Sequence, residues 1–216
     1  MLKIYLISLV LTCALAKFAI NNANYGTPKN TADCYSRYNV THVLVDVLNE
    51  RGVVVPDFLA SFINLRNANI SNIDAIVRTT DSIPIERTCW ILSHYLPVSF
   101  NGTVWFSVEN RPNYWKLNVT DRVPFLENLT QTCSQHGLKT GVYSDAVTWA
   151  QVMGNQTEGS DKLRALPLWY KNENNQANFN DFSYATFGGW KQPSIKEYAT
   201  AQYLCNYYIH GFEFEN

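Results

Sequence analysis

The residue in this sequence best placed to move a proton is a glutamate at the end of a β-branched, aromatic run. Thr103-Val104-Trp105-Phe106-Ser107-Val108 is followed by Glu109, then Asn110 and Arg111, then the pair Tyr114-Trp115. A carboxyl group held at a strand end over a cleft can serve as a general acid. The same Glu at the start of an open loop would simply be solvated, the commoner fate of glutamate. Aromatic side chains recur near such strand ends: Trp105, Tyr114, Trp115, Tyr143, Trp149, Trp169, Tyr170 and Trp190. Flat rings stack on the C–H faces of sugars, and Tyr hydroxyls and indole N–H groups bond to sugar hydroxyls. About half of the eight are expected to fill the core instead, Trp105 and Trp149 first among them because they lie inside regular elements.

The elements that must position these groups alternate. Candidate strands are Phe18 to Ala23, His42 to Leu48, Ile73 to Arg78, Thr103 to Val108, Lys139 to Tyr143, Leu166 to Tyr170, Ser194 to Tyr198 and Asn206 to Ile209. Between them lie stretches of helical period. Pro56 to Asn67 carries Phe58, Phe62, Ile63 and Leu65 on one stripe, with Pro56 suited to the first turn. A second helix starts after Thr120, has Asp121 in its first turn and Val123, Phe125, Leu126 and Leu129 on its apolar face, and stops before Gly137. Asp145 to Met153 is a third, with Ser144 or Asp145 as cap and Gly154 as stop. The polar, Asn-rich segment Asn172 to Asp181 is a surface loop. Strand-helix alternation with eight strands points to a single α/β domain built as an irregular (β/α) barrel, in which strand carboxyl ends gather the chemistry at one face.

The chain opens Met1-Leu2-Lys3, runs apolar from Ile4 to Ala16 and ends that run in Ala14-Leu15-Ala16, the pattern of a signal peptide cleaved after residue 16. A secreted, extracellular chain spanning 17–216 is therefore expected. Without Lys3, 16 basic residues face 18 acidic ones, and no basic block exists to hold nucleic acid or an anionic membrane. A monomer is expected. Cys13 leaves with the leader, so Cys34, Cys89, Cys133 and Cys205 form an even set suited to two disulfides, with three pairings open. They include no C-x-x-C pair and the four histidines are scattered, which speaks against a zinc site; no other metal and no cofactor is called for. Six N-x-S/T sequons, at Asn39, Asn69, Asn101, Asn118, Asn128 and Asn155, are candidate glycosylation sites and would have to face solvent.

The ordered pieces Gly141-Val142-Tyr143-Ser144, Trp149, Met153-Gly154, Leu166-Pro167-Leu168-Trp169-Tyr170, Phe187-Gly188-Gly189-Trp190, Ile195-Lys196-Glu197-Tyr198 and Cys205 resemble the second half of a glycoside hydrolase family 25 lysozyme of the secreted invertebrate and protist branch. The resemblance continues in register from Phe18 to Asn110. It implies an irregular (β/α) barrel that cleaves the bond between muramic acid and glucosamine in peptidoglycan, using carboxylates at strand ends. The family has an Asp on the first strand, an Asp-x-Glu after a middle strand and an Asp near the last strand. The Glu protonates the leaving oxygen, and the neighbouring Asp orients the attacking acetamido group of the substrate. Carried onto this chain, those positions hold Asn21, Ser107 with Glu109, and His210, so Glu109 alone keeps its carboxylate. Asn and Ser can hydrogen-bond but cannot supply the negative charge that stabilises a developing cation, a loss on the order of a hundredfold to a thousandfold in rate.

Asp145 and Asp46 are the carboxylates that could substitute, although Asp145 reads more simply as a helix-start residue and Asp46 as locally paired. His210 reads as structural. The favoured expectation is a lysozyme-like protein with impaired muramidase catalysis that binds peptidoglycan or a related N-acetylated glycan, in defence, through Tyr143, Trp169 and Trp190. The alternatives are an active hydrolase with Glu109 as acid and an interaction scaffold with no glycan ligand.

Overall fold

The computed structural model describes residues 18–21, 26–155 and 157–214. The leader read above, and the end of the first candidate strand at Asn22 and Ala23, lie outside them. In chain order the elements are β1 (Phe18–Asn21), α1 (Lys29–Arg37), β2 (Val40–Leu48), α2 (Phe58–Asn67), β3 (Asn72–Arg78), α3 (Ile85–Tyr95), β4 (Thr103–Ser107), α4 (Val119–Gln135), β5 (Lys139–Ser144), α5 (Ala146–Met153), α6 (Asp161–Arg164), β6 (Leu168–Lys171), a 3₁₀ turn (Asn180–Tyr184), β7 (Ile195–Leu204) and β8 (Tyr207–Phe214). The strands close into a barrel in sequence order. Neighbours from β1 to β7 are parallel, and β8 runs antiparallel between β7 and β1. That reversed last strand is what makes the (β/α) barrel irregular.

Three helices, α1, α3 and α6, were not foreseen. Only Thr31, Ala32 and Tyr35 of α1 are buried, too sparse a stripe to read from sequence. The last two strands are also longer than their sequence signals. They form a hairpin whose loop is Cys205-Asn206, with φ of 54° and 69°. Two left-handed residues give the loop a twist that matches the flanking strands. Cys205 is in turn bonded to Cys34 on α1, and Cys89 on α3 to Cys133 on α4, which resolves the three open pairings.

The barrel interior follows from the two-residue period of its strands. Leu44, Ile76, Trp105, Trp169 and Ile195 form one apolar layer at mid-height. Trp105 reaches across to the next strand, where Gly141 leaves room: a Cβ there would lie 2.5 Å from the indole ring. Two residues towards the strands' amino ends stand His42, Asp74, Thr103 and Lys139. Asp74 is buried and accepts from the Trp105 indole at 2.7 Å and from the Thr103 amide at 2.7 Å, with His42 Nε2 at 3.1 Å. Two residues towards the carboxyl ends stand Asp46, Arg78, Ser107, Tyr143, Lys171 and Glu197. The second core, between barrel and helices, holds Trp149, Phe187, Trp190 and the apolar faces of α2, α3 and α4.

Candidate active site at the carboxyl-end mouth

A cavity of about 280 Å³ opens at that polar layer, lined among others by Arg78, Ser107, Glu109, Arg111, Tyr143, Asp145, Lys171 and Glu197. Glu109 stands two residues past β4 and is 14% exposed. Its Oε1 accepts from Arg78 Nη1 at 2.6 Å and lies 3.1 Å from Ser107 Oγ, and its Oε2 is 2.5 Å from Arg111 Nε. The Ser107 hydroxyl is equally 3.1 Å from Val77 O, so one proton serves two acceptors. Trp115 donates its indole N–H to Glu109 O at 2.9 Å and fixes the loop that carries the carboxylate.

Arg78 also bonds Asp46 through Nη2 at 3.1 Å. Asp46 was expected to pair locally; instead its partner comes from the next strand, because parallel β2 and β3 set their carboxyl ends side by side. Burial pushes the Asp46 carboxyl up to about 6, against the pull of Arg78. Its Oδ1 is occluded and has no hydrogen-bond partner among the described residues. For Arg78, burial opposes the charge, yet the two carboxylates hold the guanidinium above its ordinary value.

Across the mouth, Tyr143 donates its hydroxyl to Glu197 Oε2 at 3.0 Å, and Glu197 is fully buried. Burial first, and the Glu197 charge next, raise the Tyr143 phenol well above its ordinary value, so it stays a neutral donor. Asp145 accepts from the Thr148 amide at 2.8 Å and hydroxyl at 2.6 Å, so it caps α5 as its sequence position suggests, while also lining the mouth. The loop over 172–181 lies at the surface but is tied down. Buried Lys196 donates to Asn174 Oδ1, Asn178 O and Asp181 Oδ1 at 3.0, 2.8 and 2.6 Å, and Asp181 Oδ2 accepts from Tyr170 and Asn172.

Of the expected site residues, Ser107, Glu109 and Tyr143 meet in this cavity. The backbone of Asn21 ends β1 on the same side of the barrel, paired in register with His210 on β8; the side chains of both lie outside the described residues. Trp169 and Trp190 do not line the cavity. Trp169 is 0% exposed in the apolar layer beneath Tyr143, with ring centroids 4.4 Å apart. Trp190 packs edge-on against Trp149 in the outer core and donates to Leu166 O. Six of the eight aromatics named from sequence are buried, leaving Tyr143 and Trp115 partly open.

Arg78, Arg111, Lys171 and Glu197 were missed as site residues. The signal for three of them was present, since stepping two residues on from Ile76, Trp169 and Ile195 leads to Arg78, Lys171 and Glu197; Arg111 lies two residues past Glu109. Among the described residues, no group of three or more His, Cys, Asp or Glu could hold a metal ion.

A parallel barrel closed by one reversed strand, with a strand-end Glu in a polar mouth, defines a lysozyme-like barrel of the glycoside hydrolase family 25 type. Residues 14–198 match the family described as "Lysozyme-like protein 1", and the chain belongs to that family. It is 25% identical over 200 residues to the Dictyostelium discoideum protein named "Probable GH family 25 lysozyme 5", covering 91% of this chain and 89% of that one. It is 22% identical over 209 residues to "Lysozyme-like protein 5" of Caenorhabditis elegans, covering 92% of each. Among solved structures, a muramidase from Trichobolus zukalii superposes with a TM-score of 0.73 over 93% of this chain and 94% of that one, at 12% identity, a likeness of fold. Family membership makes this a glycan-hydrolase-like protein.

Proposed function

We propose that this chain is a secreted lysozyme-like protein that binds peptidoglycan or a related N-acetylated glycan at the carboxyl-end mouth, in defence, with muramidase catalysis impaired. One observation carries the reading: Glu109, the retained family carboxylate, has both oxygens occupied by donors from Arg78, Ser107 and Arg111. A general acid needs its proton on an oxygen aimed at the leaving group. A carboxylate held between two guanidinium groups is organised to accept, and Ser107 brings no second negative charge for a developing cation. Tyr143, Asn110 and Thr148 leave the mouth polar and able to bond sugar hydroxyls.

Glycosylation fits the same picture. The Asn of each of the six sequons is exposed. Asn39, Asn69 and Asn101 stand one, three and two residues before β2, β3 and β4, on the side of the barrel away from the mouth, so glycans there leave the cavity open.

A second reading, a retained hydrolase, draws on Asp46, a carboxyl raised to about 6 on the far side of Arg78. Turbidity loss of a bacterial cell-wall suspension, with binding of soluble peptidoglycan fragments measured alongside, separates the two. Binding without lysis is expected, unchanged in lysis by Glu109→Gln. Lysis that Glu109→Gln abolishes would establish the hydrolase, and neither binding nor lysis would sink both.

A further inference from the structure

The charge of the mouth is arranged around one side chain. Arg78 ends β3 between β2 and β4, and its two terminal nitrogens point to opposite sides, Nη1 to Glu109 just past β4 at 2.6 Å and Nη2 to Asp46 on β2 at 3.1 Å. All three side chains are largely enclosed, at 15% exposure for Arg78, 12% for Asp46 and 14% for Glu109. On the Glu109 side Arg111 adds a second guanidinium, itself 56% exposed; on the Asp46 side the same guanidinium of Arg78 is the one that bonds. A glycosidase mouth works in the opposite sense. Its carboxylates face the sugar, one to give a proton and one to oppose the positive charge that grows on the ring. A buried guanidinium bonded to both carboxylates cancels that field where it is needed.

Resting on the reading of this cavity as a glycan site, we propose that Arg78 is its silencing positioning residue. By bridging Asp46 and Glu109 it holds Glu109 as an acceptor, so a sugar in the mouth is bound but its glycosidic oxygen receives no proton. Arginine suits this better than lysine, since its planar fork presents separate N–H groups in a fixed geometry to Asp46 on β2 and to Glu109 just past β4. Return of an acidic residue at 107 would leave the bridge in place. Loss of Arg78 would leave Asp46 without its bonded cation and Glu109 with Arg111 as its one remaining guanidinium partner, so that an enclosed carboxyl group can then carry the proton.

The test uses the full chain with Arg78→Ala and Arg78→Lys, and methylguanidinium chloride as the probe for the vacated place. Titration of Asp46, followed by carboxyl ¹³C NMR, is expected to move above its wild-type midpoint in Arg78→Ala. It should fall back when methylguanidinium is added, whereas the wild type ignores the ion. Arg78→Lys should keep the fold and move the midpoint part of the way, which keeps the question open to answer if the alanine variant does not fold. A titration that stays put in both variants overturns the bridge. Reducing ends released from peptidoglycan should rise at least about tenfold in Arg78→Ala below neutral pH; release equal to wild type overturns the silencing. Calorimetry with chitotetraose separates this from the function proposed above: no binding by any form, with a titration that still answers to Arg78, refutes the glycan reading and leaves the bridge standing.

Discussion

Replacing Asp46 by asparagine should make the protein more stable at neutral pH and flatten its stability against pH. The folded carboxyl titrates at about 6 against an ordinary value of 3.8, so between those limits the native state holds a proton that the unfolded chain has released. The stability contributed by that proton is fully present below about 3.8 and is lost as pH rises through about 6. The ceiling on the loss is about 3 kcal/mol, from about 1.4 kcal/mol for each pH unit between the two values.

The side-chain amide of the Asp46→Asn variant would have no charge to desolvate, and its oxygen would still accept from Arg78 Nη2. The other charges facing the group, Arg78, Glu109 and Arg111, stay as they are. Urea unfolding of both proteins from about pH 4 to about pH 8, taken as a difference, cancels every other titration common to the two. The variant should gain on the wild type as pH rises, ending up to about 3 kcal/mol ahead, or roughly 6 to 12 °C in midpoint for a chain of this size. A difference that is flat in pH would mean that the pull of Arg78 matches burial, and a variant that loses ground as pH rises that it outweighs burial; either result refutes the reasoning.

Lys196→Met should leave the Asp181 carboxylate without its enclosed cation, at a cost of about 3 to 5 kcal/mol, and raise hydrogen exchange across 172–181. Opening the Cys34–Cys205 link by Cys→Ser at both positions should cost more than opening Cys89–Cys133, about 5 against about 4 kcal/mol from chain entropy, because the sequence separations are 171 and 44; thermal midpoints of the two double variants rank them. Gly141→Ala should push the Trp105 ring from its place and cost about 1 to 3 kcal/mol, seen as a changed tryptophan spectrum and a lower midpoint.

Much of this molecule could be read along the chain, because strand and helix periods are local. The eight strands, the barrel class, the existence of α2, α4 and α5 with Asp145 as the cap of α5, and the arrival of Ser107 and Glu109 at a strand's carboxyl end all follow from patterns spanning a few residues, whereas α2 starts at Phe58, past the Pro56 expected in its first turn. The resemblance in six ordered motif pieces supplied the family. What the periods could not say is which side of the barrel wall a large ring takes. Trp169 and Trp190 carry the same motif weight as Tyr143, yet one fills the barrel's mid-height layer and the other the outer core, since each packs against rings brought from distant strands and helices.

The disulfide partners were likewise beyond sequence, because loop closure entropy discriminates weakly between pairings and only the folded distances choose. So too was the state of Glu109. Its identity, its position and the nearness of Arg111 two residues on are local facts, but Arg78, and the Asp46 that shares it, meet Glu109 only when parallel pairing sets the ends of β2, β3 and β4 side by side. Electrostatic character depends on charges within a few ångströms in space. Sequence therefore determined that a carboxylate stands at the mouth, and tertiary structure alone decided that it stands there already paired.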